Sequence, residues 1–314
     1  MVGAARLKRY PWLWSFLGAL AVWLVTIVVV EGRGAGATLT AALNFAVFYV
    51  VVGAGQMFVV TTGPGNVDLS IPANIALAGA VAMRVMDGNT LLIPVGIIAA
   101  VAVGASIGSV NFLLIYLLRI PPIIATLSSS FIIQSLAIAF GRGLRIRPPE
   151  PLADFTTARA FGVPFMTLAA LLLTVLLSYV LRESVFGRSV TALGQNARAA
   201  RLAGIRVNKT RWLTYTLCAS LAGLTSVLLA AYSGGASLDM GNQFLLSSIA
   251  VVVIGGTSIA GGDANVPGLW GASLFLFLVV TMLNALGVSS GLRQMLTGLI
   301  IITIITLSSR RQAT

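Results

Sequence analysis

Runs of about twenty apolar residues, separated by short polar gaps, recur from one end of this sequence to the other. An α-helix rises 1.5 Å per residue and the hydrocarbon core of a bilayer is about 30 Å thick, so about 20 apolar residues cross it. Lipid offers no partner to a free N–H or C=O, and a spanning segment is therefore a helix or part of a closed barrel. Ten helical spans are predicted, at 12–30, 40–62, 69–86, 91–117, 121–140, 164–181, 212–231, 243–257, 267–286 and 292–308. Only 9% of the residues are charged and 58% are hydrophobic, whereas an average soluble domain carries about 25% charged residues. The expected fold is all-α: a polytopic transmembrane bundle, with 1–314 forming one domain in the lipid bilayer.

The formal net charge is +12. Nucleic-acid binding is a poor explanation, because the charge is confined to gaps between apolar runs. Lys and Arg in loops prefer the cytoplasm. Residues 182–211 hold Arg182, Arg188, Arg198, Arg201, Arg206, Lys209 and Arg211 against one acid, Glu183. Arg6, Lys8 and Arg9 precede the first span, and Arg310 and Arg311 follow the last. Ten spans put both termini and the central loop on that side. The contrary loop, 141–163, carries Arg142, Arg145, Arg147 and Arg159 with Glu150 and Asp154, and its RPPEP stretch reads as an ordered extracytoplasmic loop. The first run, WLWSFLGALAVWLVTIVVV, exceeds the 7–15 residues of a signal-peptide core and reads as an uncleaved span.

The one cysteine, Cys218, lies inside a span, so no intrachain disulfide is possible. There is no histidine, and with it the commonest metal ligand and general base are missing. No Walker A loop, GxSxG or carboxylate cluster is present, so no catalytic residue, metal site or cofactor is assigned.

Gly and Pro inside apolar stretches mark helix breaks, which survive in a membrane only where protein or a water-filled cavity supplies partners. The first break is TTGPGNVDLSIPAN, 61–74. Gly63, Pro64 and Gly65 should end one helix, and Asn66 or Asp68 is placed to cap the next, with Ser70 close behind. Asp68 is the only acid without an evident solvent loop; a buried carboxylate is either a pathway residue or a clamp on backbone amides. The second break, IGGTSIAGGDANVPGLWGA, holds Gly255, Gly256, Gly261, Gly262 and Pro267, whose small residues permit close helix approach. Asn44, Gln56, Asn74, Asn111, Gln134 and Asn284 fall within or near spans. Interhelical hydrogen bonding is the commoner role for any one of them, while several together suit a path for a hydroxyl-rich solute.

Residues 194–205, GQNARAARLAGI, form a punctuated basic segment between apolar runs. Ala197, Ala199, Ala200 and Ala203 favour helix, Asn196 can cap its start and Gly204 its end. Leu202 and Ile205 offer an apolar contact flanked by Arg198 and Arg201. Such a helix fits a groove of a soluble partner; a solvated basic loop is the alternative.

FGRSVTALGQNARAARLAGIRVNKTRWLTYTLCASLAGLTSVLLAAY, SSIAVVVIGGTSIAGGDANVPGLWGA, LNALGVSS and the VDLS at 67–70 resemble the inner-membrane permeases of bacterial ABC importers of the ribose and simple-sugar type. Branched-chain amino-acid permeases share that architecture. The resemblance implies the ABC importer permease fold and a partner ATPase. It further implies a second permease subunit, like or unlike, and a separate solute-binding protein. It implies a cytoplasmic coupling segment at about 186–209, with Gly194, Asn196, Arg198, Ala199, Ala200, Leu202, Gly204 and Ile205 at the ATPase contact. Asn66, Asp68, Ser70, Asn74, Gln134 and Asn284 are the candidate translocation-path residues. The family's glycine pair before Ile-Asp reads Gly65-Asn66-Val67 here, and Asp263, Ala264 and Asn265 interrupt its glycine pattern near 261. Amino acids or nucleosides are alternative solutes. A self-contained secondary carrier would need ion-coupling carboxylates, of which only Asp68 is available.

Overall fold

A computed structural model describes residues 12–29, 32, 34–142 and 146–312. Arg6, Lys8, Arg9 and Arg145 lie outside them. Each of the ten apolar runs is a helix. They are α1 (Leu13–Val29), α2 (Ala35–Thr61), α3 (Ile71–Met86), α4 (Ile93–Leu117, entered through a 3₁₀ turn at Thr90–Leu92), α5 (Pro122–Gly141), α7 (Phe165–Glu183), α10 (Val207–Tyr232), α11 (Phe244–Ile254), α12 (Val266–Ala285) and α13 (Ser290–Gln312). Six of them (α2, α4 with its 3₁₀ turn, α5, α7, α10 and α12) are long and apolar enough to cross a membrane; α1, α3 and α11 are apolar but shorter. Two helices were not expected as such, α6 (Glu150–Thr157) and α8 (Val185–Gln195), while α9 (Ala197–Leu202) is the helix expected within 194–205. Within the 141–163 loop, the described residues from 146 on form α6 and a two-strand hairpin, β1 (Arg159–Ala160) with β2 (Val163–Pro164).

Helix α2 is the axle of the bundle. It is apolar on every side, and a helix of that kind is stable only where other helices cover it. From Ala46 to Thr61 every residue is buried, under α10, α12, α11 and α7. Phe45 stacks on Phe277 of α12 at 5.0 Å, Phe45 meets Tyr232 of α10 edge-on at 4.9 Å, and Tyr49 meets Phe244 of α11 at 5.3 Å.

The most extensive contact joins α4 to α10. Ala100, Gly104 and Gly108 recur at a spacing of four on one face of α4. A Cβ at Gly104 would overlap the carbonyl of Ala219, one at Gly108 that of Tyr215, and one at Gly223 of α10 that of Ala100. The two antiparallel backbones therefore touch over two turns, the close approach that small residues provide between membrane helices. By contrast α5 and α7 leave Phe131, Ile132, Leu172 and Val175 exposed, as lipid-facing helices do.

Candidate functional site

Between α2 and α3 the chain runs unwound from Thr62 to Ser70, through the interior of the bundle. Its backbone groups need partners, and side chains of α2 and α5, together with Asp68 of the segment itself, supply them. Gln56 Oε1 of α2 accepts from the Asp68 amide at 3.3 Å. Thr126 Oγ1 of α5 accepts from the Leu69 amide at 3.1 Å. Asp68 Oδ1 accepts from the Ser70 amide at 2.9 Å and from the Ser70 hydroxyl at 2.6 Å. Asn111 of α4 donates to Ser70 Oγ at 2.8 Å and to Asp68 Oδ1 at 3.4 Å, and accepts from Ser129 of α5 at 2.5 Å. Cys218 of α10 closes the cluster, its Sγ 3.6 Å from Gln56 Oε1.

All the bonds to Asp68 end on one carboxylate oxygen, and all come from neutral groups. Its Oδ2 is buried without a hydrogen-bond partner, as are Gln56 Nε2 and the Tyr215 hydroxyl. The arrangement is that of a clamp: it ties the unwound segment to α2, α4 and α5 at once. The capping expectation is corrected here. Helix α3 starts after Ser70, which makes no side-chain cap, and Pro72 sits in its first turn. Asp68 holds the amide two residues on, while Asn66 turns back to the Gly63 carbonyl at 3.1 Å.

The two glycine breaks meet. At the end of α2 the Thr61 carbonyl, left without a helical donor, accepts from the Gly262 amide at 2.9 Å. Gly261 lies against Gly63, where a Cβ would come within 2.5 Å of the Gly63 Cα. Gly194, in the last turn of α8, fits into the same contact: a Cβ there would overlap both the Thr61 carbonyl and the Gly262 amide. Gln195 Nε2 donates to the Gly262 carbonyl at 3.4 Å. At the far side of the second break Gly255 and Gly268 bring α11 and α12 into backbone contact, Pro267 opens α12, and the Asn265 side chain accepts from Gly268.

Helices α8 and α9 occupy this end of the bundle. Ser184 caps α8, accepting from the Gly187 amide at 3.0 Å, and Val190 and Leu193 bury its inner face. Asn196 ends α8 and begins α9, its side chain accepting from the Arg198 and Ala199 amides at 3.0 Å each. Gly204, at φ 84°, turns the chain out of α9 in the left-handed conformation that glycine adopts most readily. Arg198, Ala199, Arg201 and Leu202 are exposed, Leu202 at 84%, and Ile205 is partly covered. Ala200 is buried within the chain at 4% exposure, so it faces its own bundle and not an outside partner.

The six candidate path residues do not converge. Asn66, Asp68, Ser70 and Asn74 are buried in or beside the unwound segment, and Asn74 is committed to the Ala219 carbonyl of α10 at 2.8 Å. Gln134 is elsewhere, holding the Leu238 carbonyl at 3.0 Å. Asn284 is exposed near the end of α12 and bonds to Arg293. Thr126 and Ser129, both essential to the cluster, went unnoticed in the sequence because hydroxyls are common in membrane helices, where they bond their own backbone. The Ala100, Gly104 and Gly108 spacing was a readable signal for the α4 and α10 contact.

A helical bundle with unwound polar chain in its interior and a capped helix displayed at one end defines a polytopic membrane permease. Residues 38–305 match the family described as the permease component of the branched-chain amino acid transport system. The chain is 31% identical to the ribose import permease protein RbsC of Escherichia coli K12, over 83% of this chain and 82% of that one. It is 29% identical to the autoinducer 2 import system permease protein LsrC of an Enterobacter species, over 95% and 87%, and 28% identical to LsrD of Photorhabdus laumondii, over 94% and 90%. No solved structure matches it. The chain belongs to this family of transport-system permeases and is a multi-pass protein of the inner membrane.

Proposed function

We propose that the chain is the permease subunit of an ATP-binding cassette importer for a monosaccharide or related small polar solute. It carries no catalytic role: a separate ATPase subunit hydrolyses ATP, a solute-binding protein delivers the cargo, and a second permease subunit completes the path. We infer ten spans with both termini and residues 186–209 in the cytoplasm, a reading supported by the Lys and Arg of those segments. The sugar-type solute is supported by relatives named for import of ribose and autoinducer 2. The observation that carries the ATPase contact is α9, a capped helix that holds Leu202 in the open, with Arg198 and Arg201 also exposed.

An interface anchor of this kind is typically worth about 2 kcal/mol or more, and 1.4 kcal/mol is about tenfold in affinity. Leu202→Asp is therefore expected to lower ATPase co-purification by more than about tenfold with membrane insertion unchanged. Undiminished co-purification would remove α9 from the contact. Uptake of D-ribose, other pentoses and hexoses, leucine and a nucleoside by the assembled importer identifies the cargo class; uptake of leucine or the nucleoside alone would overturn the sugar reading.

A further inference from the structure

The contact of Gly194 with Thr61 and Gly262 links the displayed helix pair directly to the unwound polar segment. We propose that this contact is the joint through which ATPase-driven displacement of α8 and α9 reaches the segment 62–70; the inference rests on the ATPase-docking role of α9. Three features support it. First, the contact is backbone to backbone. The Thr61 carbonyl receives the Gly262 amide at 2.9 Å, and a Cβ on Gly194 has no room beside either. Close-packed surfaces without a compressible side chain between them transmit a displacement, because protein interiors yield little.

Second, the joint is at both ends continuous with the parts it would connect. Asn196 is both the C-cap of α8 and the N-cap of α9, so a push on α9 arrives two residues beyond Gly194. On the other side Thr61 ends α2 and is followed at once by the unwound chain. Third, a cleft of about 370 Å³ lies beside this contact, between α8, the end of α7 and the second break, lined by Arg182, Arg188, Thr191, Gln195 and Asp263 among others. Helix α8 is thus seated at Gly194 on Thr61 and Gly262 and is not packed on every side.

The residues at the joint act as positioning residues, and their substitution should separate ATPase binding from its effect inside the bundle. The probe is the thiol of Val67→Cys in a Cys218→Ala background. Its rate of maleimide labelling is compared in nucleotide-free and vanadate-trapped complexes of the permease with its ATPase subunit. With the joint intact, trapping is expected to change that rate several-fold. Gly194→Ala is expected to abolish the change while the ATPase still co-purifies. Gln195→Ala, on the exposed rim, removes only the side-chain bond to Gly262 and is expected to insert normally and to show a reduced change. A full response in either inserted variant overturns the proposal, as does ATPase loss in step with the response, which would make these residues part of the docking surface. Absence of any response in the unaltered joint with ATPase bound overturns it as well. Failure of the ATPase to bind the unaltered chain would instead count against the docking role of α9.

Discussion

Asp68 offers a sharp test of how the unwound segment is held. Both Ser70 groups and Asn111 converge on its Oδ1, while Oδ2 has no partner. Asparagine keeps one such acceptor oxygen in place and removes a charge that none of these partners neutralises. Asp68→Asn is therefore expected to leave stability within about 1 kcal/mol of the parent, since a buried ion with neutral partners is costly to retain. Alanine removes all three bonds. Hydrogen bonds between membrane helices average about 0.6 kcal/mol and reach about 1.7, so Asp68→Ala is expected to lose about 2–5 kcal/mol. The assay is reversible unfolding in mixed micelles titrated with a denaturing detergent, followed by tryptophan fluorescence. Equal destabilisation by both substitutions would refute the reasoning, for it would mean that the negative charge, and not the single acceptor oxygen, holds the segment. Parental stability in Asp68→Ala would refute the clamp altogether.

Two further outcomes are expected. Asn196→Ala removes two amide bonds from the start of α9 and should cost about 1 kcal/mol of local stability, measured as faster amide exchange at 198–202; Ala200→Glu should perturb α9 more, because that side chain is buried in its own bundle, and unchanged exchange in both would refute the capping account. Single cysteines replacing the exposed Ala199 and Glu150, in a Cys218→Ala background, should show labelling by an impermeant thiol reagent in intact cells only at 150; the opposite pattern would invert the topology.

Helix positions were legible in the sequence because length and apolarity are local properties. The ten apolar runs all became helices, with the largest shifts at α2, which begins at Ala35 and not near 40, and at α10, which begins at Val207 and not near 212. Helix α8 escaped notice among charged residues, although Phe186, Val190 and Leu193 carry a helical spacing. The clamp was not legible as a cluster. Gln56, Asp68, Asn111, Thr126 and Ser129 are spread over four elements, and a single sequence records which residues are polar but not which of them meet. Grouping Gln134 and Asn284 with Asp68 rested on residue type alone, and the fold sends all three to different places. The capping of α9 by Asn196 was readable, because a cap and the amides it serves lie within three residues.

The complete enclosure of α2 also bears on how the protein is made. It is made early, yet most of what covers it (α10, α11 and α12) follows residue 206 in the chain. Gln56 and its partner Cys218 are 162 residues apart. For most of synthesis, then, an amide side chain and a broken helix end must wait without their final neighbours, sheltered by the translocon or by a provisional pairing with α3 to α5. A nascent chain arrested between α9 and α10 has already made every residue that bonds the Asp68 side chain, but lacks Cys218 and most of the cover of its axle. Completion of the core therefore waits on the helices made last.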